Sequence, residues 1–473
     1  MRVRVGPVRG SFYRAGLIGA TIAGVRALEW VQRRTAVPAH PGALQTIVRA
    51  LELSWLLCLP VAAALWIGWF VFAEAVRPEP RPVPTPVDEG SSVRLVFRFV
   101  TRGDNTDALR RSVATLRSSA AGYPFPLPDP VIQVVTDRPT GLGDDVDEVV
   151  VPRDYESPQG SLFKARAITY LQTARSAGPA DWFVYLDEES RVGGAFLAGA
   201  LTFVATATRE AAMRGEPAPV GQGMIVYDGG HWLFRGADGL RTADDLGRFR
   251  LQYALGMPCF GVHGSFLLVR GADDPGLSFD VGARGSLTED AAWALRAWAR
   301  GVRFRWVTGS LHEQPPQTFA DFRRQRGRWI AGLRRVCTDA GIPRRTRATL
   351  LVAVALWQLS FLPLAVAVLA VVTRQPPTGW MRAPADFALT AFVLAYAQGA
   401  AVREARSLPP ANDGRDRTTP IRVAAATLLC VPFIWYVTLE ACGVLQALRP
   451  HRRFHVIAKP DLTTLLSPAT GGP

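Results

Sequence analysis

Residues 288 to 329 hold the side chains best suited to chemistry. Thr288-Glu289-Asp290 precedes an apolar helical pattern, and Gln325-Arg326-Gly327-Arg328-Trp329 lies ahead of a long apolar run. Asp290 can take the proton of a hydroxyl nucleophile. Arg328 can grip anionic oxygen, while Trp329 offers an aromatic face to a sugar ring. A carboxylate in the first turn of a helix also serves simply to complement the helix dipole, so Asp290 taken alone leaves both roles open.

Two more acids follow the apolar run WFVYL at 182–186, in Asp187-Glu188-Glu189. Asp187 and Glu189, two residues apart in an extended turn, can face one side and hold Mg²⁺ or Mn²⁺ against a diphosphate. Either glutamate can turn inward, which leaves Glu188 as a competitor. Lys164 has only one companion lysine in the chain, Lys459. Within SLFKARAITYL it falls in the first turn of a helix, where an ammonium and free backbone donors can meet phosphate; a solvated surface lysine fits equally well. In FGVHGSFLLVR, residues 260–270, Gly264 and Ser265 permit close approach of an acceptor and His263 can donate a hydrogen bond. No second histidine stands at a short spacing, so His263 is not expected to bind metal.

These residues need a frame. From Val93 onward, VRLVFRFV, VIQVVT (131–136), EVVV (148–151) and WFVYL alternate with helical patterns at 106–119, 162–176 and 195–213. Short apolar strands separated by helices predict a parallel α/β sheet, and in such sheets ligands collect beyond the carboxyl ends of the strands. Thr101-Arg102-Gly103-Asp104, Asp137 and Asp187 stand at three such ends; singly, each also reads as a turn or helix cap. Farther on, 291–300 reads as a helix ended by Gly301, VRFRWV as a strand, LHEQPP (311–316) as a loop and 321–333 as a basic amphipathic helix.

The 473 residues are 48% hydrophobic, with mean hydropathy +0.11, which places part of the chain in lipid. Segments 50–72 and 350–372 are long enough to cross a bilayer core. Segments 384–402, with Asp386 and Gln398, and 421–448, with Pro432 and Glu440, are weaker spans; a buried helix or interfacial hairpin is the alternative for each. The first 49 residues scatter arginines, lack a cleavable signal and are expected to be retained, with 16–30 as a short helix on the membrane surface. Proline-rich RPEPRPVPTP at 77–86 is a stiff linker. The expected domains are a basic segment (1–49), a transmembrane helix (50–73), the linker (74–92), a catalytic domain (93–322), a basic interfacial helix (323–348), a membrane region (349–448) and a basic tail (449–473).

The net charge of +14 is dispersed over loops and segments beside the spans. Anionic lipid and nucleotide phosphates are the expected partners, and nucleic acid is not. Cys58, Cys259, Cys337, Cys430 and Cys442 have no paired spacing and read as buried small residues, neither disulfides nor zinc ligands.

Taken together, VTRGDN, VVTD, FKARA, LDEES, FGVHGS, TED and LHEQPPQTFADFRRQRGRW resemble the inverting family 2 glycosyltransferases, especially the egghead-type β-mannosyltransferases and related membrane synthases. The resemblance runs from about Val93 to Leu333. It implies a GT-A-like, Rossmann-like domain inserted between transmembrane helices, a UDP- or GDP-hexose donor and a lipid or lipid-linked saccharide acceptor. By the same resemblance Asp290 is the base, Asp137 contacts the nucleotide base, Asp187 and Glu189 hold Mg²⁺ or Mn²⁺ at the diphosphate, and Gln325, Arg328 and Trp329 bind donor or acceptor; Thr101, Arg102 and Lys164, from their places in the chain, are expected to bind donor with Asp137 and Asp187. His263, Gly264, Ser265, Glu289, Gln325, Arg328 and Trp329 would contact acceptor or product. Where the family more usually has an aspartate, this chain has Glu189. A processive polysaccharide synthase and a silent membrane scaffold are the competing functions. Nucleotide sugars place the domain on the cytoplasmic side, with the plasma membrane as the expected location. A single span before the domain would then put the arginine-rich N-terminus outside, a conflict that the sequence does not resolve.

Overall fold

The computed structural model describes residues 7–36, 43–88, 91–375, 377, 379–406 and 427–449. After a hairpin of β1 (Val87–Asp88) and β2 (Ser91–Ser92), the apolar runs become strands of one sheet. These are β3 (Arg94–Thr101), β4 (Val131–Thr136), β5 (Asp147–Val150), β6 (Asp181–Asp187), β7 (Arg191–Val192), β8 (Val220–Tyr227), β9 (Leu267–Arg270) and β10 (Phe304–Glu313). Their order is β5-β4-β3-β6-β9-β8-β10-β7. Strands β5, β4, β3 and β6 are mutually parallel, as are β8 and β10. Strand β9 runs antiparallel between β6 and β8, and β7 runs antiparallel at the edge, so the sheet is mixed. The α/β architecture expected from the sequence is present. Every residue from Trp182 to Leu186 is buried, the pattern of a strand covered on both faces.

The direction of β9 matters for the site. Parallel strands finish at one edge of the sheet, and an antiparallel strand between them must begin there. Residues just before β9 therefore join Thr101, Asp137, Asp187 and Glu313 at the same edge.

Residues 311–313, expected in a loop, are strand. Register against β8 shifts between Trp306 and Ser310, Gly309 adopts φ +98°, and pairing then resumes from Ser310 to Glu313. A bulge hides the alternation on which a sequence reading depends, and glycine tolerates the backbone it needs. The basic helix is longer than expected at both ends, Phe319–Cys337, and Thr318 caps it by accepting the Asp321 N–H at 3.1 Å.

The chain divides into two compact units. One comprises Glu79–Arg235, Gln252–Leu351 and Ala447–Pro473, and the other Met1–Pro78, Gly236–Leu251 and Val352–Gln446. Among the described residues, three helices are long and apolar enough to cross a membrane: Arg49–Phe72, Arg344–Thr373 and Gly379–Arg406. The expected spans at 50–72 and 350–372, and the weaker one at 384–402, thus all fall on such helices. Residues 421–426 of the remaining segment lie outside the described residues; what is described there includes a shorter apolar helix, Phe433–Gln446.

The helix-rich unit differs from expectation in two ways. Instead of a short surface helix at 16–30, one helix runs Pro7–Thr35 along the span helices. Tyr13 donates to Gln398 at 2.8 Å, Trp66 to Thr21 at 3.0 Å and Gln32 to Asp386 at 2.8 Å. Arg14 reaches the Phe70 carbonyl at 2.7 Å, so the start of this helix lies beside the end of the span that leads into the linker. Second, residues 236–251 belong here and not with the sheet. A Cβ on Gly68 would stand 2.1 Å from the Gly247 carbonyl oxygen, and one on Gly399 would stand 1.9 Å from that of Gly239. Backbones meet directly at these glycines, as small residues allow between helices.

Of the five cysteines, all free, Cys58 and Cys259 are buried while Cys337, Cys430 and Cys442 are only half-buried.

The helix Gly194–Arg214 packs on β10 through Gly199, where a Cβ would stand 1.7 Å from the Thr308 carbonyl oxygen. Gly199→Ala is expected to lower stability by about 3 kcal/mol, since neither backbone can yield cheaply. Gly194→Ala, with open space around it, is the control. Equal denaturant midpoints for the two variants in detergent would contradict this account.

Candidate active site

Lys164 is the centre of the site. It leaves the first turn of the helix Phe163–Ala174, just after Phe163, whose φ of 54° turns the chain sharply into the helix. Its ammonium pairs with Asp187 Oδ1 at the end of β6, donates to the Gly264 carbonyl at 2.8 Å and lies 4.0 Å from Glu289 Oε1. The side chain is 15% exposed, which excludes the solvated surface lysine. Glu289 and Asp290 open the helix Glu289–Ala299, and Asp290 Oδ1 accepts the Ala291 N–H at 2.8 Å. A Cβ on Gly264 would lie 3.2 Å from Lys164 Nζ, 3.3 Å from Asp290 Oδ2 and 3.5 Å from Glu289 Oε1. The missing side chain at 264 is therefore what keeps the meeting point of these groups open.

Burial and crowding set the protonation of the cluster. Burial raises the Asp290 carboxyl, against the Ala291 N–H and the nearby Lys164 and Arg328. Burial, then the charge of Asp290, push Glu289 to about 7, with Lys164 opposing. Burial works to discharge Lys164, yet Asp187, Glu289 and Asp290 together hold it above its ordinary value. Burial lowers Arg328, opposed by the same three acids. Arg328 sits on Phe319–Cys337 and donates to the Leu287 carbonyl at 3.0 Å, just ahead of the two acids. A carboxylate raised toward neutrality beside two cations can accept a proton from a hydroxyl at ordinary pH.

The choice between the two glutamates is resolved by geometry. Glu188 turns inward, where both its oxygens are taken by Thr101 Oγ1 and Asn105 Nδ2, and its carbonyl accepts Ser112 Oγ at 2.9 Å. Burial, then the charge of Glu189, push Glu188 to about 7. Thr101 thus faces Glu188 and the Gly103 N–H, as a clamp on the loop after β3. Glu189 is half-buried beside it. Among the described residues no three His, Cys, Asp or Glu side chains form a metal cage. Asp187, paired with Lys164, and half-buried Glu189 stand two residues apart at the end of β6.

Beside these groups lies a cavity of about 670 Å³, lined by Arg102, Asp137, Arg138, Arg153, Leu162, Phe163 and Arg166 among others. Arg166 donates to Asp137 Oδ1 at 3.1 Å. Four guanidiniums and an exposed leucine make a wall for anionic and flat groups alike. Arg102 and Asp137 were read from strand ends. Arg138, Arg153 and Leu162 were not, because nothing in loop spacing marks them; Arg166 stood within the FKARA motif without a role.

Other expected residues are placed as follows. The main chain of His263 is held at both ends by Gln222, and Ser265 donates to Glu313. Gln325 accepts from Arg326 at 2.6 Å. Arg326, to which the sequence assigns no role, is buried between Phe322 and Trp329, 4.2 and 4.6 Å from their ring centroids, so it covers one face of Trp329.

Residues 182–402 match the family model described as glycosyl transferase family group 2. This stretch holds Asp187, Gly264, Glu289, Asp290 and Arg328. Over this stretch the chain is similar to the family 2 glycosyltransferases. It is 34% identical over 271 residues to β-1,4-mannosyltransferase egh of Drosophila melanogaster, covering 56% of this chain and 57% of that protein. It is 32% identical over 270 residues to β-1,4-mannosyltransferase bre-3 of Caenorhabditis elegans, covering 55% of each. The chain thus spans little more than half the length of these curated relatives. Among solved structures, S. aureus TarS 1-349 in complex with UDP aligns with TM-score 0.32 and 11% identity, over 77% of this chain and 94% of that one.

The cluster predicts a pH signature. In Glu289→Gln the acid that burial and the charge of Asp290 push to about 7 is gone, so an acid limb of kcat/KM near that pH is expected to move to lower pH. A pH–rate profile with the limb unmoved or raised would contradict the coupling.

Proposed function

We propose that this glycosyltransferase domain moves a hexose from a nucleotide-diphosphate sugar to a hydroxyl of a lipid or lipid-linked saccharide, with inversion to a β-glycoside. The observation that carries the reading is the convergence of Lys164, Asp290 and Glu289 on the open position at Gly264, with Asp187 paired to the same Lys164. Similarity to two β-1,4-mannosyltransferases supports the transfer class, with mannose as one candidate sugar.

Asp290 accepts the proton of the acceptor hydroxyl as its oxygen attacks the anomeric carbon, opposite the departing diphosphate. Lys164 and Arg328 lower the charge that builds on that diphosphate. Mg²⁺ or Mn²⁺, when bound by Asp187 and Glu189, supplies further positive charge there. The arginine-walled cavity receives the nucleotide, with Arg102 and Arg166 toward phosphate, Asp137 toward the base and Leu162 against its flat face. Gly264 admits the acceptor, alongside His263, Glu289 and Gln325, and the uncovered part of Trp329 lies against its sugar. The three apolar helices support a membrane-bound enzyme, in keeping with a lipid-borne acceptor; the proposed orientation, toward cytoplasmic nucleotide sugars at the plasma membrane, follows from the donor.

Membrane extract incubated with a panel of UDP- and GDP-hexoses, followed by mass analysis of lipids, tests the reading; a lipid gaining one or a few hexoses is the expected product. A long polymer, or no product from any donor, would contradict it. Asp290→Asn should cut turnover at least about a hundredfold, the usual contribution of a general base, while nucleotide affinity is kept. Normal turnover by the folded variant would remove Asp290 from the role. Glu189→Ala is expected to weaken the stimulation of nucleotide binding by Mn²⁺, and calorimetry with and without the ion checks this.

A further inference from the structure

The motif LHEQPP places a buried acid, Glu313, at the end of β10, and no step above uses it. Glu313 is 6% exposed, and its Oε1 receives two hydroxyls. One is Ser190 Oγ at 3.2 Å and the other is Ser265 Oγ. Ser190 Oγ also accepts the Asp187 N–H at 3.1 Å, and Ser265 follows Gly264, whose carbonyl accepts from Lys164 at 2.8 Å. Lys164 closes the circuit on Asp187 Oδ1. The result is a ring: Asp187, Ser190, Glu313, Ser265, Gly264, Lys164 and back to Asp187.

We propose that Glu313 is a positioning residue of the transfer site, tying the Asp187 turn to the Gly264-Ser265 loop so that Lys164 and Asp187 face the donor diphosphate in one fixed geometry. The inference rests on the transferase reading of the same site. Ser190 is fully buried and Ser265 is 2% exposed, so neither meets ligand; they act only through what they hold. The strand end that bears Glu313 is itself fixed. Its carbonyl accepts the Asp228 N–H at 3.1 Å, and Asp228 joins Arg191 and, at 2.8 Å, His312 Nδ1. A buried carboxylate serves this purpose better than an amide, because it accepts two charge-assisted hydroxyl bonds at once. In a site where the reacting groups must be held closely, a loose pair of loops is costly to affinity and rate.

The experiment measures affinity for UDP and for GDP, each with Mn²⁺, on the full chain in detergent. Its subjects are wild type, Glu313→Ala, Ser265→Ala, the double variant and Glu313→Gln. Each alanine variant is expected to bind nucleotide about tenfold more weakly, roughly the value of one buried hydrogen bond. The double variant should be no weaker than the worse single one, since one broken link opens the ring. Glu313→Gln, which keeps an accepting oxygen in place, should recover part of the loss, whereas a role in bulk stability would appear as a lowered melting midpoint without that order. Should Glu313→Ala fail to fold, Ser265→Ala and Glu313→Gln decide alone. Unchanged affinity in folded Ser265→Ala, or losses that multiply in the double variant, overturns the proposal, as does wild type that binds neither nucleotide. Wild type that binds nucleotide but transfers no sugar defeats the transferase reading, while the affinity cycle still decides the ring.

Discussion

Three carboxylates, Asp187, Glu289 and Asp290, draw on one buried ammonium at Lys164, and the surrounding structure is organised to make that tolerable. Two like charges about 4 Å apart repel by about 4 kcal/mol at the effective dielectric near a protein surface. Lys164 alone cannot neutralise three acids. Arg328 adds a second cation, the Ala291 N–H at the start of a helix receives Asp290, and Glu289 moves toward a neutral form. The charge that remains is held where a departing diphosphate and an incoming hydroxyl would need it. Function and electrostatic strain share a location, as they do in many catalytic sites.

The sheet explains how residues so far apart in sequence reach one ammonium. Asp187 ends a parallel strand, whereas Gly264 precedes an antiparallel one, and both come to the same edge because β9 reverses direction between β6 and β8. A fully parallel sheet would have placed the start of that strand at the opposite edge. Single-residue choices then finish the arrangement: a side chain at 264 would press on the very atoms that must meet there.

Much of this was legible in the residues. Strand ends at Thr101, Asp137 and Asp187 followed from the alternation of apolar runs with helical patterns, and the rarity of lysine singled out Lys164. Other parts were hidden for identifiable reasons. The bulge at Gly309 interrupts alternation, so His312 and Glu313 read as loop although they lie in β10. Nothing in Asp-Glu-Glu tells which glutamate faces Thr101 and Asn105, since that depends on a neighbouring strand. Arg138, Arg153 and Arg326 were lost among 54 basic residues, where charge alone cannot separate a cavity wall from a solvated surface.

The least legible feature is the segment 236–251, which looks like ordinary soluble helix. It contains Asp238, Asp244, Asp245, Arg241, Arg248 and Arg250, a composition that argues against company with apolar spans. Yet Gly239 and Gly247 let its backbone touch Gly399 and Gly68, and Trp69 donates to the Ala243 carbonyl at 2.8 Å. Some of its charges are paired: Arg248 with Asp244, and Arg250 with Glu74 at 3.3 Å. Spaced glycines were the available signal, outweighed by the charges between them. Because the chain leaves the sheet-bearing unit at 235 and returns at 252, a fragment cut at 93 and 322 would keep this segment and lose the helices that cover it. The sheet-bearing unit that holds the candidate site is therefore not one unbroken stretch of the sequence.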